Sequence, residues 1–434
     1  MQFPYVKQLA RPVLGLEAEF KTFVDGKEVI PEEQWRTPAG FIDRPLMRRT
    51  TKSSQLPTGG ALYFDGGVIE VVTPVIEIAP QCTARAVRSA WEQIAFVRDQ
   101  LNRWEERSGH NVRLEAFSCH CNISFELTRE ERGRNRTIQK LALLLVNLLP
   151  VPVIVIGLNK RSSGIGVRPR RDRIEITLDF TPDPGLMSAT IALIAGITRE
   201  VISWPSYRLD TIDDLPRIAG IEPGRHPARK GWVTRDYHFP RNPFTTPLDD
   251  EVWTTIDGRT MSLRQIALQT ALRFRESIRL HSDPFSFDLL FSVLRGDTPS
   301  LLDLDDRPAA YDDVGRLTRW GSVLPELENF KAGRRRADVD QLEPPWRGEP
   351  VDRRTRRRRS AERRATEHAP SPPLSRSAYE QVFINVANGR SLEVDGELLT
   401  PVGVKGWYHA LFRTPAGDEK LLSIDQLLEM WSTR

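Results

Sequence analysis

The chain has little cysteine: Cys82, Cys119 and Cys121 are the three in 434 residues. That excludes a disulfide-stapled scaffold and points to a reducing compartment. The opening segment MQFPYVKQLARP has no apolar core of the kind that marks a secretory signal, so a cytoplasmic protein is expected. Long hydrophobic runs are also lacking. The longest, Leu141–Leu158, is interrupted by Asn147, Pro150 and Pro152, and a membrane span needs about 20 mostly apolar residues. It reads instead as a buried helix running into a buried strand over Val151–Ile156, and no membrane partner is expected. No GxxxxGK[ST] loop, no GxGxxG after a strand and no G-x-S-x-G elbow is present. Nor is there a sequence repeat or a heptad array.

What is there suits a globular protein of two to three domains, since single cores stop growing near about 250–300 residues. Apolar residues make up 39% and charged residues 28%. The formal charge of +4 comes from 62 basic against 58 acidic residues, and it is unevenly placed. Residues 331–364 hold 13 basic and 6 acidic residues, which leaves the remainder of the chain mildly acidic. Prolines and arginines there leave too few apolar side chains for a core. The chain therefore divides into a folded region 1–330, a basic linker 331–376 and a C-terminal module 377–434. The linker is a candidate contact for an acidic protein or for nucleic acid.

Within the first region, short apolar strands alternate with helical patterns over Thr83–Arg107, Leu186–Trp204 and Leu263–Leu280. Strand pairs separated by long helices predict an α+β fold with an antiparallel sheet. In the C-terminal module, Gln381–Val386, Ser391–Val394, Gly403–Phe412 and Glu419–Leu422 read as short strands. Turns fall at Asn388-Gly389 and Asp395-Gly396, and Leu422–Trp431 reads as a closing helix. This predicts a small barrel-like β module.

Four strands carry the chemistry. Side chains alternate between the two faces of a strand. Leu14, Leu16, Ala18 and Phe20 then share one face, with Gly15, Glu17 and Glu19 on the other. In ALYFDGGVIEVV, a turn at Gly66-Gly67 sets Asp65 opposite Val68 and Tyr63 opposite Glu70, and a glycine bulge would also bring Asp65 and Glu70 to one side. In FSCHCNISF, Phe117, Cys119, Cys121, Ile123 and Phe125 form an apolar face, with Ser118, His120, Asn122 and Ser124 opposite. In the fourth strand, Ile174, Ile176, Leu178 and Phe180 face the core, and Arg173, Glu175, Thr177 and Asp179 face away.

The polar faces carry carboxylates, one histidine and one asparagine, but no lysine. Carboxylates on an otherwise apolar strand are costly unless something positive neutralises them. Glu17, Glu19, Glu70, His120 and Glu175 make a hard, oxygen-rich ligand set that favours Mg²⁺, with Mn²⁺ as the alternative, over zinc. The same alternation turns both thiols away from His120, which argues against a zinc site there. Ahead of the fourth strand, Arg161, Arg168, Arg170, Arg171 and Arg173 adjoin the Gly/Ser stretch at 162–166, a composition suited to bidentate phosphate binding. Asn122, on the same face as His120, is placed to hold water or substrate.

In order, GLEAEF at 15–20, ALYFD with E..TP at 61–74, SCHCNISF at 118–125 and RIEITLDFTPD at 173–183 resemble the glutamine synthetase-like carboxylate–amine ligases. That superfamily includes the γ-glutamylcysteine ligases and the Pup ligase and deamidase group. The resemblance covers about residues 10–300. It implies a curved antiparallel sheet with helices on the convex side. It also implies two or three Mg²⁺ between ATP and a substrate carboxylate, which is activated as an acyl phosphate and attacked by an amine. Carried over by motif, Glu17, Glu19 and Glu70 are metal ligands, and His120 with Glu175 completes the second metal. Arg173 with Arg161 or Arg168 holds ATP phosphates, and Asp65 matches the base for the incoming amine. The substrates would be a small-molecule or peptide carboxylate and an amine. Two other readings stay open: an amidohydrolase on the same fold, and a non-catalytic binding protein that uses the basic linker.

Overall fold

The computed structural model describes residues 9–49, 53–126, 136–181, 183–226, 230–304, 313–317 and 376–432. The expected basic linker, apart from its last residue, lies outside them. The fold is α+β. Its centre is a sheet in which every pairing is antiparallel. Six strands matter for the site: β1 (Val13–Val24), β2 (Ala61–Asp65), β3 (Val68–Val72), β4 (Val112–Ser124), β5 (Ile165–Pro169) and β6 (Arg173–Leu178). They lie side by side in the order β5-β6-β4-β1-β3-β2, and short strands extend the sheet at both edges.

One face of this sheet is covered by helices. On β1, Leu14, Leu16, Ala18 and Phe20 are buried, while Glu17, Glu19, Lys21 and Phe23 alternate with them and are half-buried on the opposite face. Helix α1 (Cys82–Ser108) packs on the apolar face, where Phe180 stacks on Trp91 and meets Phe20 edge-on. Helices α2 (Thr137–Leu148), α3 (Pro150–Gly157) and α4 (Pro184–Ile202) complete the layer. Helix α4 is long and apolar enough to cross a membrane, but its side chains are mostly buried inside the protein. Asp183 caps it by accepting from the backbone N–H groups of Gly185 and Leu186, with Pro184 at the first position.

Three expectations for these elements need correcting. Val151–Ile156 is helical, not a strand. The run is apolar all round, so periodicity cannot separate a buried strand from a buried helix. Pro150 and Pro152 fall in the first turn, where the missing N–H groups would have had no helical partner. Leu263–Leu280 is two helices, Leu263–Arg273 and Arg275–His281, broken at the buried Phe274. Phe117 is half exposed rather than in the core, because β4 carries a bulge: Glu19 pairs with Ser118, but the next residue, Phe20, pairs with Ala116. The extra residue restarts the alternation, so Arg113, Glu115 and Phe117 face the same side as Ser118, His120 and Asn122.

The C-terminal module is not a barrel. It is an open four-stranded antiparallel sheet of β7 (Leu392–Val394), β8 (Glu397–Lys405), β9 (His409–Arg413) and β10 (Glu419–Ser423), with helices Ala378–Ala387 and Ile424–Ser432. The expected strand Gln381–Val386 lies inside the first helix, which Ser377 and Glu380 start with a capping box. The expected strand Gly403–Phe412 is a hairpin that turns at Gly406. Asp395 and Gly396 both take positive φ in the β7–β8 turn. The module shares its core with the main sheet: Val13 and Val75 pack among Tyr379, Val382, Phe383 and Phe412.

Candidate active site

The register of the large sheet assembles the site. Tyr63 lies opposite Glu70, Glu70 opposite Glu19, and Glu19 opposite Ser118. One step along, Glu17 lies opposite His120, and His120 opposite Thr177. In the next row Gly15 lies opposite Asn122, Asn122 opposite Glu175, and Glu175 opposite Arg168. The Gly66-Gly67 turn has positive φ at both residues, 62° and 92°, and sets Tyr63 against Glu70.

Among the described residues, Glu17, Glu70 and His120 bring one ligand atom each to within 4.8 Å of one another. His120 Nδ1 lies 3.2 Å from Glu17 Oε2, and its Nε2 lies 3.6 Å from Glu19 Oε1. Tyr63 Oη donates to Glu70 Oε1 at 2.7 Å. Burial pushes Glu17 upward, but the hydrogen bond and charge of His120, with the charge of Arg173, hold it below the usual carboxylate range. Burial and the charge of Glu17 push Glu70 up to about 9. Burial raises Tyr63 as well, helped by the charges of Glu17 and Glu70.

The arginines form a second group beside the first. Arg170 donates to Glu175 through Nε at 2.8 Å and Nη2 at 3.0 Å. Arg168 is ion-paired with the same carboxylate, and its Nη2 stands 3.4 Å from His120 Nε2. Arg173 donates to Asn122 Oδ1 at 2.9 Å, while Asn122 Nδ2 is buried with no partner. Glu175 is thus enclosed by guanidinium groups, set apart from the Glu17–Glu70–His120 group. Arg161 is exposed on the 159–164 loop, where its backbone N–H is held by Asn159 Oδ1.

A cleft of about 460 Å³ opens beside these groups. Glu17, Tyr63, Asp65 and Arg173 line it, so Asp65, which is exposed, shares a cavity with Glu17 rather than lying in the buried cluster. Arg49 and three side chains of the C-terminal module, Phe383, Val404 and Trp407, complete its wall. The sequence reading missed these. Trp407 follows the turn glycine of a segment read as one strand, and nothing local marks it as a neighbour of Gly15. A Cβ placed on Gly15 would come within 2.8 Å of the Trp407 ring. Arg173 also lies over that ring, 5.7 Å from its centroid.

The set fits a divalent cation. Glu70 is a buried carboxylate next to another carboxylate, and the donors are two carboxylates and an imidazole. The three thiols are buried, and burial raises their pKa values, which leaves them without a part in this site.

No family model matches the chain, and no curated protein matches it. Among solved structures, it is similar to the crystal structure of the complex between the prokaryotic ubiquitin-like protein Pup and its ligase PafA. The two are 13% identical, the match covers 98% of this chain and 94% of that one, and the TM-score is 0.43.

Proposed function

We propose, from the side chains of the site alone, that the chain is an ATP- and Mg²⁺-dependent carboxylate–amine ligase. The observation that carries this reading is the Glu17–Glu70–His120 group, half-buried at Glu17 and buried at the other two, set beside Arg168, Arg170 and Arg173 on one sheet face. A polyphosphate and a carboxylate repel each other in a poorly hydrated site, and cations and guanidinium groups are what bring them together. Glu17, Glu70 and His120 would hold a divalent cation, which would supply that neutralisation. Glu19 adds a negative charge 3.6 Å from the other nitrogen of His120.

The phosphoryl group passes to the substrate carboxylate and ADP leaves. The amine then attacks the acyl carbon, and phosphate leaves as the amide forms. The amine must lose a proton, and Asp65 is the exposed carboxylate in the cleft that takes it. Arg173, which lines the cleft, presents N–H donors to the bound anion. Trp407 excludes water from one side.

The test is ADP release from the full chain with Mg²⁺, ATP and panels of acids and amines. ADP formation that requires both substrates, and is lost in Glu17→Gln with folding intact, is expected. Release of an amine from an amide without ADP accumulating would assign the hydrolytic direction instead. ATP turnover undiminished in the variant would reject the site.

A further inference from the structure

A pair of would-be ligands, His120 and Glu175, is already bridged by a cation of the protein itself. Arg168 Nη2 is ion-paired to Glu175 Oε1 and stands 3.4 Å from His120 Nε2. A metal ion shared by His120 and Glu175 would need the place where this nitrogen stands. The remaining oxygen of Glu175 is occupied as well, since Arg170 Nε donates to Oε2 at 2.8 Å while its Nη2 donates to Oε1. The side chains of Glu175 and Arg168 are 2% and 7% exposed, so neither has room to swing into solvent. A guanidinium stays protonated at any ordinary pH and has no lone pair to offer a metal. It therefore repels a dication from this position and cannot join its ligand shell.

We propose that the site takes a single divalent cation, at Glu17, Glu70 and His120, and that Arg168 permanently fills the place of a second. Glu175 then serves as the anchor of two arginines rather than as a ligand. This departs from the two or three metal ions that the sequence resemblance implies. It rests on the proposed metal site, because with no cation at Glu17, Glu70 and His120 there is nothing for Arg168 to complement. The arrangement gives a polyphosphate fixed N–H donors on the side of Arg168 and Arg170, where a second metal would give exchangeable coordination. Arg168 and Arg170 are accordingly positioning groups for anion binding, oriented by a buried carboxylate.

The test is a count. Mn²⁺ binding to the full chain is followed by the loss of the free-ion paramagnetic resonance signal, with folding checked by circular dichroism. Wild type is expected to bind one Mn²⁺ per chain. Arg168→Met, which keeps the stem and removes the charge, is expected to bind two. Two ions in wild type would overturn the inference while leaving the proposed function standing. A folded Arg168→Met that still binds one would overturn the role of Arg168. No binding to wild type would remove both. Should Arg168→Met fail to fold, Glu175→Gln decides: it is expected to lower Mn²⁺ affinity by less than about a hundredfold, the ceiling for a group outside the ligand shell. A larger loss would make Glu175 a ligand and refute the proposal.

Discussion

Glu17 and Glu70 are diagonal neighbours on adjacent strands, and the protein holds their protons apart. Glu17 is kept below the usual carboxylate range by His120 and Arg173 against the opposing effect of burial. Glu70 is pushed up to about 9 by burial and by the charge of Glu17. In the metal-free protein the pair therefore carries one negative charge near neutrality, with the proton on Glu70. Two buried groups this close titrate as a pair, and the assignment of the proton follows from which has the cationic neighbours.

Cation binding must then displace a proton. Divalent affinity is expected to rise with pH from neutrality toward about 9, with close to one proton released per ion near pH 7. Titration calorimetry in buffers of different ionisation enthalpy measures that number directly. The sign for stability is the opposite. Glu70 binds its proton more tightly when folded, so the metal-free chain loses stability as pH rises from about 4.5 toward about 9. Glu70→Gln is expected to flatten both trends, and a pH-independent affinity in wild type would contradict the shift.

Tyr63 tunes that proton. Its hydroxyl donates to Glu70 at 2.7 Å and so favours the charged carboxylate. Tyr63→Phe removes this donor, and the rise in Mn²⁺ affinity is expected to move upward by about one pH unit, the scale of one hydrogen bond to a charged group. Affinity at pH 7 falls accordingly, and the two proteins' affinities converge only once the pH exceeds both midpoints. A uniform loss across the whole pH range would show instead that Tyr63 merely supports the fold.

Much of this site is legible in the sequence where period-two alternation holds without interruption. Glu17 and Glu19 on β1, and Glu175 on β6, are placed on the face that their neighbours imply. The Gly66-Gly67 pair fixes Tyr63 against Glu70. Legibility ends where a partner decides. The bulge at Phe117 exists because β1 pairs through it, and single-strand alternation cannot register an extra residue. The helix at Ala378–Ala387 has its capping box in plain view at Ser377 and Glu380, but β-branched and aromatic residues in QVFINV suggest a strand. That Glu175 meets two arginines depends on side-chain geometry that no spacing encodes.

The bulge separates two phenylalanines that the sequence places on one face. Phe117 is 51% exposed and Phe125 is 1% exposed. Phe117→Ser is expected to change stability by no more than about 0.5 kcal/mol, the range of ordinary surface substitutions. Phe125→Ala is expected to cost about 3–5 kcal/mol, the range for a large buried aromatic. Urea unfolding of both variants reads the contrast. Equal costs would place Phe117 back in the core and remove the change of phase in β4.

One contact of the C-terminal module at the site, Trp407 against Gly15, can be tested from both sides. Gly15 lies on β1 between the site face and the Trp407 ring, and a methyl group there would come within 2.8 Å of the ring. Gly15→Ala must push Trp407 outward, at a cost of about 1–3 kcal/mol typical of overpacking. Because Trp407 lines the cleft with Glu17 and Arg173, that displacement also deforms the space a substrate occupies. Trp407→Ala removes the obstacle, so Gly15→Ala should be nearly silent in that background. A double-mutant cycle on stability is expected to show coupling of about 0.5–3 kcal/mol, as for residues in direct contact. Simple additivity would mean that the module does not press on the sheet at Gly15 and that the wall of the cleft is made elsewhere.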